Sequence, residues 1–238
     1  MTGEQSPPPA AVSFRVPSEF HEVPLAIGAD QDVLYEDLRR FARGYWGEQE
    51  ELEPLRALTE AMYAANADQL VAGGAIYNAL GIFPLGDSTD GSEPPERISR
   101  ATLTISVREM ENPDPYLTTA GILETLDNAT ENGEAAEVLP IDLPAGPAVV
   151  RVAGSRATWD LPEGEHERFF VHIEVWMPFP GEDRLLLLSL STPDTQDFQH
   201  YQAVLADIAD TIAFGEPEVS GSGTADTAAS AVSPFASY

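Results

Sequence analysis

Four segments of the chain place apolar side chains three or four residues apart, the spacing that puts them on one face of an α-helix. They are residues 32–47 with Leu34, Leu38, Phe41 and Tyr45; residues 50–71 with Leu55, Leu58 and Met62; residues 114–130 with Tyr116, Ala120, Leu123 and Leu126; and residues 195–214 with Phe198, Tyr201, Leu205, Ile208 and Ile212. Acidic residues precede the first segment, and Asp194 or Thr195 is positioned to cap the last one. The pattern therefore predicts four helices, each with one face in a core.

Other segments alternate apolar and polar residues, which is the period of a β-strand. Short runs on both sides of the turn Pro17–Phe20 predict a hairpin over residues 14–25. Further strands are predicted at residues 75–85, 101–108, 147–158, 167–177 and 184–190. The last of these is apolar on both faces, a pattern typical of a central strand that is covered on both sides.

The predicted strands occur in runs joined by short turns that contain proline or glycine. This order favours an α+β fold in one domain, with a mainly antiparallel sheet flanked by helices as an α/β/α sandwich. We expect the domain to span residues 13–214. Residues 1–12 are rich in proline, and residues 215–238 consist mostly of small and polar residues, so both are predicted to be disordered tails.

Two parts of the chain resemble the PsbP-like α/β/α sandwich family, which includes LpqN-type relatives. One is the opening segment Phe14-Arg-Val-Pro17-Ser-Glu-Phe20. The other is the closing unit 185–214, in which an apolar strand continues through Ser191-Thr-Pro193 into the last predicted helix. The resemblance implies an α/β/α sandwich with accessory and partner-binding roles, mostly without catalysis, and it carries no shared catalytic motif.

The chain of 238 residues is strongly acidic, with 40 Asp and Glu against 12 basic residues, all of them Arg, and a formal net charge of -28. Only four of the acids lie in the two predicted tails, so the charge belongs to the predicted domain. Such a surface repels phosphate backbones and anionic lipid headgroups, which disfavours nucleic-acid and membrane partners. Two origins of this composition stay open: a coding bias that replaces Lys by Arg, and adaptation to high salt.

Several kinds of chemistry are excluded by residues that are missing. The chain has no Cys, which excludes disulfides, thiolate nucleophiles and zinc-thiolate sites. It also has no G-x-G-x-x-G, P-loop, G-x-S-x-G or H-E-x-x-H motif, and the acidic loop 87–93 lacks the spacing of an EF-hand. We therefore expect no metal and no cofactor. The N-terminus lacks the features of a secretory signal, which favours a cytoplasmic protein.

The strand 167–177 carries the most distinctive polar residues. Its period of two places Arg168, His172, Glu174 and Trp176 on the face opposite its apolar stripe. If Arg108 and Arg151 from other strands share this face, it combines residue types that anchor protein interfaces. The competing interpretation is a set of cross-strand salt bridges that contribute little. In the C-terminal tail, Phe235 and Tyr238 are candidates for a tethered recognition motif, with an unselected tail end as the alternative.

Together these features predict a non-enzymatic cytoplasmic accessory or adaptor protein that binds a protein partner through an acidic sandwich domain. The partner is expected to be basic or part of a larger assembly, and an acidic chaperone for a cationic client is a variant of this hypothesis. The alternative is a small-molecule-binding or hydrolytic domain with a pocket beneath the helical pair 32–71 that uses His172 and Glu174. Hydrolysis also needs a nucleophile, for which Ser106 and its neighbouring threonines are available.

Overall fold

The computed structural model describes residues 12–28, 30–86, 96–131, 136–161 and 164–215. The candidate tail residues Phe235 and Tyr238 and the acidic loop 87–93 lie outside the described residues. Four helices are present: α1 (Gln31–Trp46), α2 (Glu53–Ala72), α3 (Pro115–Glu131) and α4 (Phe198–Asp210). The four predicted helices are thus confirmed.

The strands of the described residues are β1 (Val12–Ser13), β2 (Phe20–Glu22), β3 (Ala75–Leu85), β4 (Arg97–Glu109), β5 (Ala136–Leu143), β6 (Gly146–Leu161), β7 (Gly164–Pro178), β8 (Arg184–Thr192) and β9 (Ala213–Phe214). Seven of them form one sheet in the order β2-β3-β4-β8-β7-β6-β5, in which every neighbouring pair is antiparallel. The strand β8 occupies the centre, as its apolar residues predicted. The strands β1 and β9 form a separate antiparallel pair.

Helices cover both faces of the seven-stranded sheet, so the predicted α+β sandwich in a single domain is confirmed. The first face packs against α4, whose Tyr201, Leu205 and Ile208 are fully buried with Leu186, Leu188 and Leu190 of β8. On the second face, α1 and α2 pack near β2 and β3, and α3 packs on β5, β6 and β7. The pair α1 and α2 and the helix α3 therefore cover different parts of the same face, one near each edge of the sheet.

Polar contacts fix the start of α4 against β4. Arg97 pairs with the buried Asp197, and the hydroxyls of Ser99 and Tyr201 lie 2.8 Å apart. The hydrogen bonds from Arg97 hold the pKa of Asp197 below its ordinary value. Asp194 does not cap the helix as predicted, because its carboxylate accepts the backbone N–H of Arg100 at 2.8 Å and a short 3-10 turn, Thr195–Asp197, precedes α4.

The predicted hairpin 14–25 is wrong. Its first side lies next to β1, which pairs with β9, and its second side contains β2, which pairs with β3. Phe20 packs edge to face against Phe83 with ring centroids 5.3 Å apart. The two segments pair with strands that are far away in the chain, and such pairing leaves no local signal in the sequence.

The face of α2 was also predicted incorrectly. Leu55, Leu58 and Met62 are 38%, 55% and 56% exposed, while Ala67 and Arg56 are buried. The guanidinium of Arg56 donates to the backbone oxygens of Gly47 and Gln49 and so closes the connection from α1. Small residues let α2 approach α1 closely. Apolar residues spaced three and four apart are present on more than one face of α2, so the spacing alone does not identify the buried face. In α3, Leu123 and Leu126 pack as predicted, but Tyr116 and Ala120 are exposed.

Two strands had no counterpart among the predictions: β9 lies at the end of the segment 195–214 that was predicted as a helix, and β5 lies in a segment without a prediction. The edge strand β5 alternates half-buried and exposed positions and contains Pro140, which lacks a backbone N–H. Proline is tolerated at a sheet edge because one side of the strand needs no partner.

Candidate functional site

A row of polar residues crosses five strands on the second face of the sheet. The backbone register places Asn78 opposite Thr104, Thr104 opposite Ser189, Ser189 opposite Glu174, and Glu174 opposite Arg151. Directly opposite residues in antiparallel strands share a face, so the alternation of single strands adds up to a continuous polar band. One end of this band lies beneath α2, and the other lies near α3, which packs on β6 and β7.

Five of the candidate residues lie on this face of the sheet: Arg108, Arg151, His172, Glu174 and Trp176. This group of residues is called the polar face below. Two donors meet on one oxygen, because Arg151 and the indole N–H of Trp176 donate to Oε2 of Glu174 at 3.1 and 3.2 Å. The guanidinium of Arg108 lies over the Trp176 ring, 5.9 Å from its centroid. The side chains of Arg151 and Glu174 are only 13% and 17% exposed. The polar face is therefore a connected cluster of fixed geometry.

His172 belongs to the same face but has a different partner. Its Nε2 lies 2.6 Å from Oγ of Ser155 on β6, and its ring stacks on Phe170 with centroids 6.5 Å apart. Burial lowers the pKa of His172 below its ordinary value, the nearby charge of Arg151 lowers it further, and Glu174 partly opposes this. The imidazole is therefore harder to protonate than that of a histidine in water.

Arg168 is the one described candidate that stays apart from the others. It shares their strand face but lies opposite Ala157, in the part of the β6–β7 hairpin that extends past the pairing with β8, and it is exposed. Alternation along one strand assigned its face correctly and gave no information on where the neighbouring strand ends.

Trp176 also borders α3. It packs with Ile122, Val149 and Leu185, and it lines a cavity of about 530 Å³ together with α3 residues that include Leu117, Ile122 and Leu126. One side of the indole is thus held by apolar contacts while the other meets Arg108. The ring is fixed before any ligand or partner arrives.

A second cavity, of about 470 Å³, lies beneath α2 and over β3 and β4. Its lining residues are Met62, Tyr63, Asn66, Gln69, Leu70, Gly73, Ala75, Asn78, Thr102, Thr104, Ser106 and Arg108. His172 and Glu174 are not among them. The pocket predicted beneath the helical pair 32–71 therefore exists, but it is built from other residues than the His/Glu pair proposed for it.

Two kinds of residue in this region escaped the sequence reasoning. Ser155 approaches His172 only through the register of the β6–β7 hairpin, which a single strand does not reveal. Asn78 lies in an apolar strand and joins the band through its pairing with Thr104. The available signal was the polar alternation of Thr102, Thr104 and Ser106, which marks a sheet face not covered by apolar side chains.

Within the part of the chain that the structure describes, no group of three or more His, Asp or Glu side chains is arranged to hold a metal ion. No helix among these residues has the length and apolar character to span a membrane.

No protein-family model matches the chain, and no curated protein matches it in sequence. Among solved structures it is similar to LpqN of Mycobacterium tuberculosis, described as involved in cell envelope biogenesis, with 11% identity over 89% of this chain and 87% of that chain and a TM-score of 0.41. It is also similar to the cyanobacterial PsbP protein CyanoP of Synechocystis sp. PCC 6803, with 10% identity over 60% of this chain and 88% of that chain and a TM-score of 0.29. The structural similarity to PsbP-like proteins expected from the sequence is confirmed. This structural similarity is distant in sequence, and it assigns no role to any residue of the chain.

Proposed function

We propose that this chain is a non-enzymatic cytoplasmic accessory or adaptor protein that binds a protein partner on its polar face. The observation that carries the proposal is the connected cluster of Arg108, Arg151, Glu174 and Trp176, with Arg108 stacked 5.9 Å from the indole centroid. Trp and Arg are the residue types most enriched among those that dominate binding energy at protein interfaces.

The fixed geometry of the cluster supports this role. Trp176 is held by the apolar contacts beneath α3 and by its hydrogen bond to Glu174. A side chain that is already ordered loses little conformational entropy when a partner covers it, so more of the contact energy appears as affinity. Arg108 is exposed at the open side of this cluster and is the residue that a partner meets first.

The charge of the domain supports a basic partner. With 40 acids against 12 Arg, the field around the domain attracts a positively charged surface. Attraction of this kind acts mainly on the association rate and weakens as salt screens it. A basic protein is thus steered to the domain by the acidic surface and anchored by Trp176 and Arg108.

The test is co-purification at low ionic strength, with mass-spectrometric identification, using the wild type, Trp176→Ala and Trp159→Ala. Trp159 is 44% exposed on the extension of the β6–β7 hairpin and serves as the matched control, because it is the same residue type and packs on Phe170 instead of on Arg108 and Glu174. We expect a defined protein to be retained by the wild type and Trp159→Ala and lost from Trp176→Ala.

The identified partner is then purified and its association rate is measured at about 50 mM and about 500 mM salt, between which the Debye length falls severalfold. We expect a slower association at the higher salt concentration. Equal retention by the two tryptophan variants would argue against the polar face as the binding surface, and a rate independent of salt would argue against a basic partner.

A second candidate function rests on one contact. The 2.6 Å distance between Ser155 Oγ and His172 Nε2 is the geometry of a nucleophile and its base. The lowered pKa keeps His172 able to accept a proton at pH 7. Glu174, which would be needed to orient the imidazole, is instead bonded to Arg151 and Trp176. Ser155 also lies within a strand whose backbone groups pair with β7, and not on a turn that exposes N–H donors.

Ester hydrolysis measured with p-nitrophenyl acetate separates the two functions. Turnover by the wild type that is lost in both Ser155→Ala and His172→Ala would replace the adaptor proposal with a hydrolase. We expect the two variants and the wild type to show the same background rate.

A further inference from the structure

The cavity of about 470 Å³ beneath α2 has a polar floor and a mixed roof. The floor consists of Asn78 on β3 and of Thr102, Thr104 and Ser106 at alternate positions of β4. From α2, Tyr63, Gln69 and Leu70 line the roof, and Arg108 lines one end. The volume is in the range of sites that enclose small organic ligands, roughly 300–1,000 Å³.

The connection between α2 and β3 holds the helix over this floor. Gly74 has φ +81°, in the left-handed region, and a Cβ there would collide with the carbonyl oxygen of Val107 on β4. The backbone N–H of Val107 donates to the Gly74 oxygen at 2.8 Å, so this turn is bonded directly to β4. The backbone of this turn therefore anchors the C-terminal end of α2 to β4.

The hydrogen-bonding capacity of the floor is only partly used. Thr104 donates to Asn78 Oδ1 at 3.1 Å. Among the described residues, Thr102, Ser106 and Gln69 make no side-chain hydrogen bond to the protein, and Ser106 is only 6% exposed and lines the cavity. Because these groups line the cavity, a ligand can hydrogen-bond to them without breaking a bond within the protein.

The charge of the cavity differs from that of the molecule. The chain has 40 acids and 12 Arg, yet the residues that line this cavity include one Arg and no carboxylate. Carboxylates would repel an anion, and their absence next to Arg108 leaves a place where an anionic group meets a guanidinium. The hydroxyls and amides around it both donate and accept, as the hydroxyl groups of a ligand do.

We propose that this cavity binds a small hydroxylated organic anion, whose carboxylate or phosphate pairs with Arg108 and whose hydroxyls bond to Ser106, Thr102 and Gln69. The site shares Arg108 with the proposed partner surface, whereas Ser106, Thr102 and Gln69 belong to the cavity alone. Ser106 is buried beneath α2, where a docked protein does not reach it.

Calorimetric titration of the full chain with D-glucuronate, D-glucose 6-phosphate and D-glucose tests the proposal. The three probes share a hydroxylated ring and differ in a carboxylate, a phosphate or no charge. We expect at least one anion to bind about tenfold more tightly than glucose, which is the ratio that a difference of ~1.4 kcal/mol produces. The tighter of the two anions identifies which acidic group the site prefers.

Variants assign the binding to the cavity. Arg108→Gln is expected to reduce the preference for the anion over glucose to less than about threefold, whereas Arg156→Gln, the same change on the exposed β6–β7 hairpin, leaves it unchanged. Ser106→Ala weakens every probe that binds, and Ser106→Leu fills the space and abolishes binding. Circular dichroism confirms that each variant is folded, and Ser106→Ala keeps the test valid if the larger side chain prevents folding.

The proposal would be overturned if none of the three probes binds at concentrations up to about 10 mM, which corresponds to a binding free energy smaller than ~3 kcal/mol. So would binding that Arg108→Gln and Ser106→Ala both leave intact. The two functions fail separately: Ser106→Ala is expected to leave partner retention unchanged, and Trp159→Ala is expected to leave both unchanged.

Discussion

Replacing Leu188 with Ala tests whether the central strand carries the stability of this domain. Leu188 is 0% exposed, and it lies on β8 opposite Ile105 of β4 and Val175 of β7. The core that contains it also includes Tyr201, Leu205 and Ile208 of α4. Truncation to Ala therefore opens a cavity that is bounded by two strands and a helix and has little freedom to collapse.

The expected cost follows from the loss of a fully buried side chain together with the cavity it leaves, about 3–4 kcal/mol. Single domains have a free energy of unfolding of about 5–15 kcal/mol, so this one change removes a large fraction of it. For a chain of this size, the cost corresponds to a fall in Tm of roughly 6–16 °C. Leu139→Ala is the matched control, because Leu139 is 51% exposed on the edge strand β5, and it is expected to cost less than about 1 kcal/mol.

Urea unfolding followed by circular dichroism measures both variants against the wild type at fixed pH and salt. The midpoint is expected to fall for Leu188→Ala with the slope unchanged, which indicates lost stability without a change in the surface exposed on unfolding. A cost below about 1 kcal/mol, or equal costs for the two leucines, would refute the assignment of β8 as the centre of the core.

Three further changes test other parts of the structure. Asp197→Asn is expected to cost about 1–2 kcal/mol at pH 7, since it weakens the pair with the partly exposed Arg97. Because the folded pKa of Asp197 is lowered, the stability that the carboxylate contributes is present above the unfolded pKa of 3.8 and is lost as the pH falls through the folded pKa. The difference in urea midpoint between the variant and the wild type should therefore shrink below about pH 4. Gly74→Ala and Gly28→Ala both place Ala at positive φ, but only Gly74 faces a backbone oxygen. We expect a loss of unfolding free energy of about 1 kcal/mol for Gly28→Ala and at least twice that for Gly74→Ala, measured by urea unfolding, and equal losses would contradict the geometry of the α2–β3 turn. Raising NaCl from about 0.15 to about 1 M shortens the Debye length from ~8 to ~3 Å and should raise the Tm of the wild type, since the charge of -28 is then better screened; a Tm that does not rise would show that self-repulsion does not limit stability.

The helices and the central strand followed from the sequence because their signals are local. Leu34, Leu38 and Tyr45 lie on one face of α1 and are buried together, as their spacing requires. The apolar run of β8 likewise needs cover on both faces wherever it is placed. The pairing of β1 with β9 joins residues that are at least 200 positions apart in the chain, and no local pattern encodes it. The exposed stripe of α2 has the spacing of a buried one, and only the position of α1 decides which side is covered.

The candidate site, like the fold, could be predicted from the sequence only in part. Alternation along β7 assigned His172, Glu174 and Trp176 to one face, and the structure places them there with Arg108 and Arg151. The contact between Arg151 and Glu174 depends on the β6–β7 register, and the stacking of Arg108 on Trp176 reaches across β8. Ser155 and Asn78 joined the site only through the same strand pairings.

The sequence by itself determined the acidic charge, the absence of thiol chemistry, the helices and most of the strands, because composition and periodicity are properties of neighbouring residues. The tertiary structure alone decided the strand order, the face of α2 that is covered, and the placement of the uncharged polar cavity beside Arg108. These features arise where strands distant in the chain share one face of the sheet. Their geometry is set by the register of the strands and by the packing of helices over the sheet, and no single segment of the sequence determines either one.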